Sequence, residues 1–400
     1  MPRQLPLSVA LDGSTHTPAE PLTADHWAGL IGLAEQGALD FVTLDDSFAR
    51  PPDHSPGRLD AVAVLARVAP VTSRIGLVPT VTTTHTEPFH TSTSLATLDF
   101  VSAGRAGWLV DVSATPAEAR AVGRRLQAPA AELWAEAADA VEVATRLWDG
   151  WEDDAEIRDA ATGRFIDRDR LHCLDFEGPH FSVHGPSIVP RPPQRRPPVA
   201  IALDVHDSDG QWELAASHAD VVLLDADEPT TARLARTALL HRVTEAGRDP
   251  DTLRVLIRVA VDLGGGTGPG VGPGTPPPAE VRFTGSAGAT VHPRAGHRAD
   301  RPAVLHRLPG PGRRRDRRVR ADRRRRRLLL VPHLTPGGLD EFVDRVVPLL
   351  QERGVFRTDM RARPCATTSN CRRHTQGGRS EPPMNLQSQE PRSEPVAVHA

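Results

Sequence analysis

The sequence predicts an α/β fold, a (β/α)8 barrel with insertions whose eighth unit is disrupted. Three observations lead there. Apolar runs at 5–11, 41–44, 74–81, 108–112 and 199–205 alternate with segments of helical periodicity. Two more runs, 221–224 and 255–261, flank a helical stretch from about 229 to 246 and bring the strands to seven. Strands separated by helices pair in parallel, since the crossover helix returns the chain to the same end of the sheet. The eighth unit breaks this rhythm, because 264–312 is dense in Gly and Pro without a sustained period.

The helices follow from spacing and punctuation. The first has Thr23 as N-cap, Trp27, Leu30, Ile31 and Ala34 on one face, and Gly37 at its stop. A second carries Leu59, Val62, Leu65, Ala66 and Ala69 and ends at Pro70, which lacks the N–H that would continue it. A third has Leu95, Leu98 and Val101 before Gly104. From 131 to 148, Leu133, Ala137, Val141, Ala144 and Trp148 form one stripe, with Glu142 and Arg146 as an i,i+4 pair.

Residues 150–198, charged and Pro-rich, read as an insertion before the fifth strand. The organisation is thus strands one to seven over 1–263, an irregular Gly/Pro/Arg-rich segment over 264–327, a last strand and helix over 328–358, and a polar tail over 359–400 expected to be disordered. The last helix carries Leu339, Phe342, Val346, Leu349 and Leu350. Residues 279–327 have the composition of a shifted reading frame in GC-rich DNA. Such a segment would leave strand seven uncovered and strand eight hard to dock.

The formal net charge of −3 conceals an asymmetry. Residues 313–327 hold eleven Arg and two Asp, +9, so the remainder sums to −12. A basic run can bind nucleic acid, but this one is compact, has no interleaved aromatics and sits in an acidic chain, which speaks against that class. Cys173, Cys365 and Cys371 lack CxxC spacing, so no metal site is indicated. The start has neither a basic n-region nor an adequate h-region, and there is no run of about 18 uncharged apolar residues. A cytoplasmic protein with no membrane contact is expected.

The text TSRIGLVPTVTTTHTEPFHTSTSLATLDFVSAGRAGWLVDVS at 72–113 resembles the luciferase-like flavin-dependent monooxygenases, especially the nitrilotriacetate monooxygenase component A branch. FVTLDDSF at 41–48, LWDGWEDDA at 147–155, FEGPHFSVHGPSIVPRPPQRRPPV at 176–199 and LLQERGVFRT at 349–358 extend the likeness, in that family's order and spacing. The resemblance implies a flavin barrel in which reduced FMN, supplied by a separate flavin reductase, reacts with O2 and oxygenates a small organic substrate. Some relatives use the deazaflavin F420 instead. The implied partners are the small-molecule substrate, the reductase and, as an option, a second copy in a homodimer. Two alternatives stay open, a degenerate non-catalytic flavin barrel and an F420-dependent oxidoreductase.

In such a barrel the site lies at the C-terminal ends of the strands. There Asp46 matches an acid the family places near the flavin, its plainer role being a cap. Thr80, Thr82 and Thr83 match hydroxyls beside the isoalloxazine ring, and Ser113 adds another. His85 and His90 flank the same loop, where an imidazole could donate to the oxygen-loaded flavin or act as general acid or base. After strand five, DVHDSDGQWEL offers Ser208 and Gly210 for the FMN phosphate, with Ser208 and Gln211 spaced as a capping box. Asp207 and Asp209 place negative charge at the same helix start and would repel phosphate unless an Arg intervenes. Leu109, Leu133 and Trp134 depart from the family's Asn and its Arg-Tyr pair, so the polar contacts those would supply are absent.

Overall fold

The order of strands and helices is set by hydrophobic runs that are too short to be helices and too evenly punctuated by caps to be anything but β-α units. The structure, a computed structural model, describes residues 5–11, 22–50, 57–226, 228–262, 282–284, 328–332 and 337–358. The chain runs β1 (Leu7–Leu11), α1 (Ala24–Gln36), β2 (Phe41–Leu44), α2 (Ala61–Val68), β3 (Gly76–Thr82), α3 (Pro88–Val101), β4 (Trp108–Asp111), α4 (Pro116–Val122) and α5 (Ala130–Asp149). Two hairpins follow, β5 (Glu156–Asp159) with β6 (Arg164–Ile166) and β7 (Leu174–Glu177) with β8 (Ser182–Gly185). The insertion expected at 150–198 therefore contains two antiparallel ribbons. Then come β9 (Val199–Asp204), α6 (Asp209–His218), β10 (Val221–Asp225), α7 (Pro229–Glu245), β11 (Arg254–Asp262), β12 (Arg282–Thr284), β13 (Leu328–Pro332), α8 (Gly337–Glu341), a π-turn (Phe342–Val346) and α9 (Val347–Glu352).

Among the described residues eight strands pair in parallel, in the order β10-β9-β4-β3-β2-β1-β13-β11, and β10 also pairs with β11. That last pairing brings the ends of the order together, so the sheet curls around an interior. Each strand's side chains alternate between this interior and the helices. On the interior, Phe41, Val78, Leu109, Ala200, Val221, Leu223 and Leu256 pack with Ala10. The helix-facing residues divide into two clusters, one around β1, β2, α1 and α2 and one around β4, β9, α5 and α6.

The strand-eight expectation is corrected at the level of backbone pairing. β13 docks in parallel on both sides, with Leu7 opposite Leu328 and Ile257 also opposite Leu328. The expected irregular segment contributes one short described strand, β12, antiparallel to β11 with Ala260 opposite Thr284. The rest of 264–327, like the expected tail at 359–400, lies outside the described residues.

Smaller corrections have local causes. Pro70 does not end the second helix but sits in a 3-10 turn, Ala69–Val71, at a first-turn position where its missing N–H costs nothing. Val101 lies 48 % exposed, so the apolar face of α3 ends at Leu98, and the chain leaves through Ala103 and Gly104 at φ 55° and 82°. The π-turn inserts an extra residue per turn, which rotates the last helix so that Val347 is buried and Leu349 is half exposed.

The N-terminal ends of the strands carry polar ties. Arg105 donates to the carbonyls of Ala69, Thr72, Ile75 and Ser102 and to the Thr72 hydroxyl. Asp99, fully buried, accepts from the Ala106 N–H and from both the backbone and side chain of Gln194. Burial drives its pKa upward against those donors. Asp40 accepts from the Leu7 N–H and pairs with Arg357 at 2.6 Å, tying the C-terminal segment to the first two strands. Among the described residues no helix is long and apolar enough to cross a membrane.

Candidate active site

At the opposite end, β3 and β4 finish in a run of hydroxyls. The Thr82 and Ser113 Oγ atoms lie 3.0 Å apart, the Ser113 N–H donates to Thr84 Oγ1 at 2.9 Å, and the Thr83 hydroxyl donates to the Asp111 carbonyl at 3.3 Å. Thr80, 3 % exposed, shares the interior face of β3 with Val78, and its Oγ1 has no partner among the described residues. β-Branching explains why threonines serve here as strand residues, while their hydroxyls remain to be satisfied by each other or by a ligand.

His85 follows directly. Both of its ring nitrogens are enclosed and without a partner among the described residues, and its ring stands 6.1 Å from that of Phe48. Burial lowers its pKa, and Arg125 and Arg124 push the same way against Glu118. The imidazole is therefore neutral near pH 7, with one donor and one acceptor to offer. His90 is placed apart from it, exposed in the first turn of α3.

Asp46 closes the β2–α2 turn. Its two oxygens accept from the Ser47 N–H at 2.7 Å and the Ala61 N–H at 2.9 Å, so the capping role foreseen as its plainer reading is the one its hydrogen bonds display. Burial raises its pKa, partly offset by those two donors. Ser47 in turn donates to Glu118, which closes a capping box with Thr115 at the start of α4. That chain of contacts fixes the turn after β2 against the loop after β4.

The turn after β9 differs from the sequence expectation. Ser208 is the N-cap of α6, but its side chain makes no capping bond and its Oγ is buried without a partner among the described residues. Gln211 does not complete a box. It reaches back instead and donates to the Ala202 carbonyl at 2.7 Å. A side chain that can satisfy a strand carbonyl under the helix outcompetes a solvent-facing cap bond. Gly210 lies against α5, where a Cβ would meet the Trp134 Cβ at 3.3 Å, so the helix start is packed tightly on that wall. Leu133 and Trp134 themselves are core residues of the β4–α5–α6 cluster, and Leu109 fills the interior beneath the mouth.

The two acids at this helix start are not left as bare charge. Asp207 accepts from the Asp204 N–H at 2.7 Å and closes the turn. Asp209 is paired with Arg242 of α7 at 2.8 Å, and the guanidinium rests 5.5 Å from the Trp212 ring centroid. The intervening arginine thus exists, 33 residues downstream, where spacing could not reveal it.

One group escaped the sequence reading altogether. Asp111 ends β4 on the same face as Leu109, opposite Thr82 in the register. Its Oδ1 accepts from the Val112 N–H at 2.8 Å. Enclosure by protein pushes its pKa up to about 7, with Asp45, Glu118 and Asp207 adding like charge against that single donor. The alternation in WLVD was a signal, since a carboxylate in phase with an interior Leu must face inward.

A curled parallel sheet with hydroxyl, imidazole and carboxyl groups gathered at the C-terminal ends of its strands defines the class, an α/β protein. Residues 7–266 match the luciferase-like monooxygenase family, and the chain belongs to it. It is 33 % identical over 267 residues to N-acetyl-S-(2-succino)cysteine monooxygenase of Bacillus subtilis (strain 168), covering 64 % of this chain and 60 % of that protein. It is 36 % identical over 251 residues to nitrilotriacetate monooxygenase component A of Aminobacter aminovorans, covering 59 % and 55 %. The chain thus matches less than two thirds of the length of these two relatives. The EDTA monooxygenase structure from Chelativorans sp. BNC1 superposes with a TM-score of 0.66 at 18 % identity, over 90 % of this chain and 96 % of that one, a likeness of fold.

Proposed function

We propose that the protein is a flavin-dependent monooxygenase that uses reduced FMN, delivered by a separate reductase, and O2 to oxygenate a small organic substrate. The curled sheet is read as a (β/α)8 barrel, with the site in its C-terminal mouth. The observation that carries this is a set of enclosed polar atoms at that end without partners among the described residues: Thr80 Oγ1, both His85 nitrogens and Ser208 Oγ. Buried polar groups are seldom left unsatisfied without a ligand or water to meet them.

These residues fit a flavin. Thr80, Thr82, Thr83 and Ser113 line the ring, and Ser208, Gly210 and the backbone N–H groups at the start of α6 receive the phosphate, with Arg242 holding the Asp209 charge aside. Asp46 acts by holding the β2–α2 turn rather than by offering a free oxygen. The flavin, when bound, supplies the reactivity toward O2. The neutral His85 holds or delivers a proton at the edge of the site, and the interior packing beneath keeps water from the ring. Support for an oxygenase on small molecules comes from the monooxygenases that the sequence resembles.

Fluorescence-quenching titration with FMN, riboflavin and F420 tests the reading. FMN is expected to bind tighter than riboflavin and tighter than F420. Binding of none of the three would leave the barrel as a non-catalytic member of its family, and preference for F420 would replace the cofactor.

A further inference from the structure

We propose that Asp111 lies against the bound flavin ring as the neutral acid and donates a hydrogen bond to it, so that ring affinity depends on the protonation of this carboxyl. The inference rests on the flavin reading above.

Position comes first. Asp111 is the last residue of β4, in register with Thr82, whose hydroxyl is bonded to Ser113. Trp108 and Val110 face the helices, and Leu109 faces the interior, so alternation sends the Asp111 side chain inward above Leu109. A ligand seated among Thr80, Thr82 and Ser113 would therefore rest on this carboxyl.

Satisfaction comes second. The structure gives Asp111 one hydrogen bond through its side chain, from the Val112 N–H to Oδ1. Oδ2 has no partner among the described residues. As a residue Asp111 is only partly buried, at the very end of its strand. An oxygen at the strand end on the interior face, with no partner among the described residues, is positioned to meet whatever enters.

Charge comes third. Asp45 beyond β2, Glu118 on α4 and Asp207 beyond β9 bear on Asp111, and all three have the same sign. Together with enclosure they hold the carboxyl up to about 7, so near neutrality it is present as both acid and anion. A flat ring laid over it removes the remaining water from Oδ2. That penalises the anion far more than the acid, and the acid alone has a proton to donate to a ring carbonyl or nitrogen. Binding and proton uptake are then linked.

Riboflavin is the probe, because it lacks the phosphate that would titrate in the same range and would report on Asp207 and Asp209. Its affinity for the full chain is measured by fluorescence quenching from pH 5.5 to 8.5, alongside Asp111→Asn and Asp111→Val, with circular dichroism to verify folding. In the parent the affinity should be level below about pH 6 and fall by up to tenfold per pH unit above about 7. Asp111→Asn, which donates and never ionises, should bind with a level profile. Asp111→Val, which cannot donate, should bind level and about tenfold more weakly than the Asn variant. A level parent profile, or an Asn variant that keeps the parent's slope, overturns the proposal while leaving the flavin reading intact. Absence of riboflavin and FMN binding at every pH overturns both.

Discussion

The hydroxyls of Thr82 and Ser113 meet at 3.0 Å across the ends of β3 and β4, and each is almost fully buried. Replacing Thr82 by Val keeps the β-branched shape and removes one partner. The loss should cost about 1–2 kcal/mol in urea unfolding, since the Ser113 hydroxyl is left to find another partner. FMN affinity should fall severalfold in the same variant. Unchanged affinity would move the threonines out of the ring site.

Arg242→Ala should weaken FMN about tenfold while leaving riboflavin within twofold, because it releases the Asp209 charge at the phosphate end. Adding Asp209→Gly should restore FMN binding. Equal losses for FMN and riboflavin would place the phosphate elsewhere.

Asp46→Ala removes the acceptor for two backbone N–H groups at the β2–α2 turn. Stability should drop by about 1–2 kcal/mol, the usual cost of losing a cap. Riboflavin affinity should fall less than it does in Thr82→Val, and a larger fall would give Asp46 direct contact with the ring.

Glu35 opposes burial with three backbone donors, Ser73, Arg74 and Ile75, at 2.9, 2.6 and 3.0 Å. Burial alone would raise its pKa, yet the donors outweigh it and the carboxyl sits below its ordinary 4.5. A depressed folded pKa stabilises above the unfolded value and loses that contribution as pH falls through the folded one. Glu35→Gln should therefore be less stable than the parent by about 1 kcal/mol at pH 7, a figure kept small by solvent access. The gap should narrow as pH falls below 4.5 and through the lower folded value, and a gap that persists beyond that would assign it to shape rather than charge.

Asp111 carries the opposite sign. Its folded pKa of about 7 exceeds the ordinary 3.8, so its favourable contribution is complete below 3.8 and lost as pH rises to about 7. Without ligand, Asp111→Asn should gain on the parent through that window and hold a lead of about 1–2 kcal/mol at pH 8, reduced by water in the mouth. Parallel stability curves measured by urea unfolding would show that the carboxyl is not strained.

Much of the framework was legible because its signals are local. Thr23 caps α1 through the His26 N–H, Trp27, Leu30, Ile31 and Ala34 are its buried face, and β2 falls on 41–44 as read. The site was only half legible. The threonines stand at the strand ends as the pattern required, but whether a hydroxyl is satisfied depends on its neighbour across the sheet. Gln211 was misread because a capping box and a bond to Ala202 share one spacing, and three-dimensional proximity decides between them. Arg242 was invisible, since its partner Asp209 belongs to the preceding helix. Asp111 was overlooked because its strand was read as an apolar run, although its in-phase position with Leu109 was on the page.

The pairing of Leu7 with Leu328 has a bearing on how the chain comes into being. During synthesis β1 gains β2 early, but its other edge has no native partner until almost the whole described fold has left the ribosome. For that interval β1 offers an unpaired row of N–H and C=O groups in an apolar strand, a template for pairing between nascent copies. Contacts this distant in sequence also make closure of the sheet slow relative to the local units. The yield of folded protein should thus be governed by how long one strand edge waits, rather than by the strength of the core it finally joins.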